Sequence, residues 1–538
     1  VRRAALLLAA AMVAACASPG VRSESATEQT SPPTAPAMTT TPPPTPTDPQ
    51  PPESEPTADP DDTTPPDTEV EATEPSIEER PDLTTEEEPG PEPSTDAPAG
   101  DVESIGDSLF PELGTDDLDV QSYDVRLAYD PATQVIDGAV TVDAVVVAES
   151  ERLVLDAVEL DVEAVTVDGT PAEVNVGTDE LVITPATPPA TGAAVAIDVQ
   201  YTARAQQAGS FDGIADLGWF ATTAGSYVLN QPDGARTWLP SNDHPADKAL
   251  WRFELTVPAG TTAVANGALI EQRPSAEGTT WVWEQSQPMA TYVVQLLTGD
   301  YEILERAPAG TVPIVDVVLA EDVEQMAPYF ELTDDQLAFF QLFFGPYPLD
   351  RYGLAFTDSP SGLAMEQQGR SLYSRDDFPG DRVGVIEHYL LSHELAHMWF
   401  GDAVSPADWR DVWLNESFAT YGQWMWFDHV DLLPLEIQAD ANLARRQDFT
   451  EPTAEPTVEN LLGFERYDGG AVVLHALRLE LGDEPFFTLL KTWVAENNGT
   501  SRTTEDFIAL ANRVAGRDLT AFFDAWLFAA DVPDAYPG

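Results

Sequence analysis

Positive charge is the first thing this 538-residue chain lacks. It holds 25 basic residues against 93 acidic ones, a formal charge of −68, and lysine occurs only as Lys248 and Lys491. So acidic a surface repels phosphate backbones and anionic headgroups, which excludes nucleic acid as a partner and any purely electrostatic hold on a membrane. Cysteine occurs once, at Cys16, so neither an intramolecular disulfide nor a thiolate metal cage is available. The apolar run Ala4–Val13 is too short to cross a bilayer. Aromatic residues are missing from residues 17–100, a stretch with 21 of the 47 prolines and 20 acidic residues. Such a segment buries too little apolar surface to offset the entropy of ordering, and disorder is expected. Proline and like-charge repulsion extend it beyond the roughly 50 Å spanned by a flexible chain of that length.

What is present begins with "VRRAALLLAAAMVAACASPG". Arg2 and Arg3, a short apolar run and then small residues have the layout of a secretory signal peptide. Val13-Ala14-Ala15-Cys16 resembles the lipobox of bacterial lipoproteins, whose cysteine is acylated and becomes the mature N-terminus. The expectation is a signal peptide over 1–15, a lipid anchor on Cys16, and a disordered Pro/Thr/Glu-rich linker over 16–105. The linker would tether an exported, membrane-anchored head outside the cell membrane.

The head opens with alternating β-branched segments such as "YDVRLAYD", "GAVTVDAVVVA" and "AVAIDVQYTA", broken by Asp, Gly and Pro. They predict an antiparallel β domain over 106–305. Helical periodicity dominates 306–538, interrupted by one short strand region, "RYGLAFTDSPSGLAMEQQGRSLYS". The fold class is therefore α+β and multidomain.

Within that second half, "IEHYLLSHELAHMWFGD" places His393, Glu394 and His397 among residues that read as core. Unpaired ionisable groups are costly to bury, so their presence needs a partner. Residues four apart share a helix face, so His393 and His397 can point at one cation with Glu394 beside it. After eighteen intervening residues comes Glu416, alone in the apolar stretch "DVWLNESFATYGQWMW". Two histidines, a glutamate and an open position for water match a hydrolytic zinc site, one Zn²⁺ per chain. His244, His388, His429 and His475 read as surface or packing residues.

The H-E-x-x-H motif, its spacing to the glutamate and the segments "FFGPYPLDRYGLAF", "WLNESFA", "ERYDGGAVVLHAL" and "QPDGARTWLPSNDHPADKALWRFELTV" resemble the gluzincin aminopeptidases of the aminopeptidase N and leukotriene hydrolase group. The resemblance covers about residues 121–530. It implies a saddle-like N-terminal β domain followed by a thermolysin-like, mostly helical α/β zinc peptidase domain. It also implies that His393, His397 and Glu416 ligate zinc and that Glu394 is the general base. Tyr467 would donate to the oxyanion. Glu366 of "GLAMEQQG", with Leu363, Ala364 and Met365, would hold the free α-amino group of a peptide, and Gln231 would support that grip. Leu363 and Gln367 stand where the family's G-x-M-E-N has glycine and asparagine, Ser417 where glycine usually follows the third ligand, and Gly469 where lysine is common. The large helical C-terminal domain of many relatives is not expected. The rival expectations are a zinc hydrolase of a non-peptide substrate, since one family branch opens a lipid epoxide, and a catalytically idle surface binding or scaffold protein.

Overall fold

The β-branched runs form strands because alternate side chains share one buried face. In Leu118–Asp130, Val125, Leu127 and Tyr129 point into the core while Arg126, Ala128 and Asp130 face out. A bulge between Val120 and Ser122 lets Val120 and Tyr123 reach the same core despite their odd spacing. The structure, a computed structural model, describes residues 104–148, 150–207 and 217–538. The expected signal peptide, Cys16 and nearly all of the linker lie outside the described residues.

Leu118–Asp130 lies within an eight-stranded sheet, parallel to Ala249–Val257 on one side and antiparallel to Val135–Val146 on the other. The order continues through Thr279–Met289 to Ala268–Pro274 at one edge, and through Ala194–Arg204 and Asp161–Val167 to Thr170–Pro171 at the other. A five-stranded sheet containing Leu296–Gly299, Gly225–Leu229 and Gly218–Ala221 shares one apolar core with it, in which Trp219, Phe253, Trp283 and Leu297 are buried. Leu153–Asp156, Glu180–Thr184 and Glu173–Val176 make a third, small sheet.

Strand Tyr301–Ala309 runs across the boundary expected at residue 305 and pairs with Val312–Leu319. Both belong to a mixed sheet ordered onward through Leu354–Thr357 and Ser371–Ser374 to the edge strand Ala364–Met365. Val312–Leu319 falls where helical periodicity alone was expected. Buried on nearly all sides, it lacks the clean alternation of a half-exposed strand.

Among the described residues eight α-helices follow, beginning with Val323–Phe344. Two of them build the site. The histidine helix, Val385–His397, starts where Glu387 Oε2 accepts the Gly384 N–H at 2.9 Å, and every side chain from Leu390 to His397 is buried. The glutamate helix, Trp413–His429, is buried from Trp413 to Phe427, as an all-round apolar helix must be. The two helices pack on each other, and the histidine helix also touches Ala364–Met365. A third, Asp468–Leu481, packs on the glutamate helix and begins directly after Tyr467. No helix among the described residues is long and apolar enough to cross a membrane.

Candidate active site

Helix periodicity puts His393 above His397, and the packed glutamate helix presents Glu416 to both. His393 Nε2 and His397 Nε2 lie 3.2 Å apart, and each is 3.4 Å from Glu416 Oε2. All three residues are buried. Three ligands on a tetrahedral ion with bonds of ~2.0–2.1 Å stand about 3.3–3.4 Å from one another, so the triangle has the dimensions of a zinc site. The hydrogen bonding agrees. The Phe400 carbonyl 3.0 Å from His397 Nδ1 is only an acceptor, so Nδ1 carries the proton and Nε2 presents its lone pair to the triangle. Two imidazole nitrogens and a carboxylate oxygen converging at this spacing in a buried space fit zinc.

Two more carboxylates converge on the same histidine. Ligand atoms of Glu366, Glu394 and His397 all lie within 4.8 Å of one another, and both glutamates are buried. Burial pushes Glu394 well above the usual carboxyl range, with His397 opposing and Glu366 and Glu416 adding to the rise. Burial raises Glu366 to about 7, against the pull of His397. Glu416 goes the other way: burial raises it, but His397 and His393 outweigh that and the net shift is downward. The histidines thus favour the ionised form of Glu416, while burial opposes charge on its two neighbours.

Glu366 follows the edge strand Ala364–Met365, which hangs it over the histidine helix. Gln231 Nε2 donates to Glu366 Oε1 at 3.2 Å, across 135 residues of sequence. Leu363 and Met365 sink into the core of the β domain, while Ala364 packs against that of the helical domain. Gln367 is fully occupied structurally: its Nε2 donates to the Val228 carbonyl, and its Oε1 accepts from Gln295, each at 2.8 Å. Tyr467, half-buried, stacks its ring on His393 with centroids 5.7 Å apart and planes 15° apart. The structure therefore brings together His393, Glu394, His397, Glu416, Glu366, Gln231 and Tyr467. Cys16 lies outside the described residues.

Sequence reasoning missed the buttress beneath the site. Lys248 Nζ, from the β domain, donates to the Asp402 carbonyl at 2.6 Å. Tyr292 Oη donates to the Gly401 carbonyl and accepts from Asn415 Nδ2, both at 3.1 Å. These bonds clamp the turn after His397 and the residue before Glu416. The lysine closing "PSNDHPADK" was the available signal. Asp402 itself is buried with neither carboxyl oxygen hydrogen-bonded among the described residues, and burial drives its pKa far up.

A family model described as the peptidase family M1 domain matches residues 329–526, and one described as the peptidase M1 N-terminal domain matches residues 120–293. The crystal structure of an M1 zinc metallopeptidase from Deinococcus radiodurans matches with a TM-score of 0.72 at 30% identity, covering 81% of this chain and 99% of that one. The chain belongs to peptidase family M1. A mutant of an M1 zinc metallopeptidase from the same organism, bound to a Tyr-Ser-Ala substrate, matches this M1 chain with a TM-score of 0.73 at 29% identity, over 81% of this chain and 100% of that one. Aminopeptidase N of Streptomyces lividans is 28% identical over 343 residues, 57% of this chain and 38% of that protein. Aminopeptidase M1-A of Oryza sativa subsp. japonica is 27% identical over 443 residues, 75% of this chain and 49% of that protein. The M1 chain spans about half the length, or less, of these two curated relatives. Its cofactor is Zn²⁺, and His393, His397 and Glu416 form a buried group that could hold it.

Proposed function

We propose that this M1 chain is a zinc aminopeptidase that removes residues one at a time from peptides with a free amino terminus. The observation that carries the reading is Glu366, a carboxylate 3% exposed beside the metal triangle, whose described polar contact is the Gln231 amide. A buried acid needs a cation to be held ionised, and a substrate's α-ammonium meets that need one residue from the scissile bond. The curated relatives are themselves called aminopeptidases.

When bound, zinc supplies Lewis-acid polarisation of the scissile carbonyl and of water. Glu394, buried beside His397 and next to His393 in the chain, takes a proton from the attacking water and returns it to the leaving amine. The Tyr467 hydroxyl donates to the developing oxyanion, a role supported by the stacking of its ring on His393. Glu366 and Gln231 hold the amino end and so set the register of the cut.

The signal-like N-terminus and Val13-Ala14-Ala15-Cys16 support a further reading, in which Cys16 is acylated and the enzyme works outside the cell membrane on a lipid anchor. Activity is tested with a panel of aminoacyl arylamides, with a zinc chelator and after zinc is restored. Hydrolysis lost on chelation and recovered with zinc is expected. A zinc-loaded protein that cleaves none of the panel would refute the assignment.

A further inference from the structure

Ser417 follows the ligand Glu416 at the position where the family resemblance leads one to expect glycine, and the function above gives it no task. Its side chain is fully buried. Its Oγ donates to the Arg466 carbonyl at 2.5 Å, reaching from the glutamate helix to the residue immediately before Tyr467. Ser417 also touches the chain just beyond the tyrosine. A Cβ built on Gly470 would fall 1.7 Å from Ser417 Oγ and 2.5 Å from its Cβ, so Gly470 has no side chain because the serine fills that space. Between these contacts, the Tyr467 carbonyl accepts the Ala471 N–H at 2.9 Å as the next helix begins.

We propose that Ser417 is a positioning residue, which locks the Tyr467 turn onto the helix that carries the third metal ligand. The tyrosine hydroxyl stands at the end of a long, rigid side chain with two main torsions. A small shift of its backbone is therefore carried in full to the oxygen. Because Glu416 and Ser417 are consecutive on one helix, the same element that supplies the metal's carboxylate sets the distance from metal to phenol. Glycine at this position could make no such bond, so this chain has a tie that the usual motif lacks. The inference rests on the proposed role of Tyr467, and the test separates the two.

The test is a double-mutant cycle on the zinc-loaded enzyme with an aminoacyl arylamide, comparing S417A, Y467F and the double variant. Zinc content and the affinity for a free amino-acid product are measured alongside. S417A is expected to retain zinc, bind the product within twofold of the parent, and lose about tenfold in kcat with little change in KM. In the Y467F background the same substitution is expected to change kcat less than twofold, because the group it positions is gone. S417G serves if S417A folds poorly and is expected to behave alike. A normal Y467F defect with S417A at full kcat overturns the assignment of Ser417 alone. An equal S417A loss in both backgrounds also overturns it, by showing that the serine acts elsewhere. Full turnover by Y467F removes the tyrosine from the mechanism and Ser417's task with it.

Discussion

Replacing Asp107 with alanine removes a carboxylate that ties three parts of the head together. Its Oδ1 accepts the N–H groups of Leu109 and Phe110, each at 2.8 Å, within the strap that precedes the first long strand. Its Oδ2 accepts the Trp409 N–H at 2.7 Å, between the histidine and glutamate helices, and lies 3.0 Å from His244 Nε2 of the β domain. The side chains of Asp107 and His244 are both 0% exposed. Leu109 and Phe110 are only part-buried, so water can replace the lost acceptor for them. The Trp409 and His244 donors are sealed in, and each costs ~1–3 kcal/mol when left unpaired, so D107A should destabilise the head by about 4 kcal/mol. A head of roughly 430 residues unfolding as one unit has an entropy near ~0.9 kcal/mol/K, which converts that loss into a fall of about 4 °C in Tm. D107N, which keeps one acceptor oxygen, should lose about half as much.

The pH dependence has a definite sign. Burial raises the Asp107 carboxyl, but the bond to His244 and those from Trp409, Phe110 and Leu109 outweigh it, so its folded-state pKa is lowered. A lowered acid contributes stability that is complete above its unfolded pKa of about 4 and is lost as pH falls through the folded value. Calorimetric melts of the metal-free protein, stepped from pH 7 to below pH 4, check both claims, with the gap between parent and D107A holding down to about pH 4 and closing only as pH falls through the lowered folded-state value. A D107A Tm within 1 °C of the parent at pH 7 would refute the reasoning.

E394Q should keep the fold and its zinc yet lose at least ~10²-fold in turnover, measured on protein of confirmed metal content. E416A should lose zinc on dialysis, because two imidazoles alone make a poor site; full occupancy by metal analysis would place the third ligand elsewhere. Expressed with its own leader, the parent should partition with membranes and C16S should be released or misprocessed. Equal membrane association of the two forms would speak against the lipid anchor.

The metal site was legible because its signals are local or periodic. His393 and His397 sit one helical turn apart, and Glu416 stands out as a lone charge in an apolar run. Glu366, Gln231 and Tyr467 carry no such mark individually and were legible only through the order of family motifs. The alternating strands from Leu118 onward were plain, whereas Val312–Leu319 was not, since a strand covered on both faces offers no alternation to read. The clasp of Asp107 and His244 spans 137 residues, and the tie from Ser417 to Arg466 spans 49. A polar contact between distant residues leaves no periodicity in either segment, so both bonds appear only once the fold has brought their ends together.

The measurement closest to the central claim follows, by mass spectrometry, one peptide offered with a free and with an acetylated amino terminus to the zinc-loaded enzyme. Acetylation removes the charge that Glu366 is placed to meet and adds bulk beside it. The free peptide should shorten one residue at a time from its N-terminus, while the acetylated form should stay intact. Acetylated peptide cut as fast as free peptide, or first cut at internal bonds, would contradict the account and make the enzyme an endopeptidase.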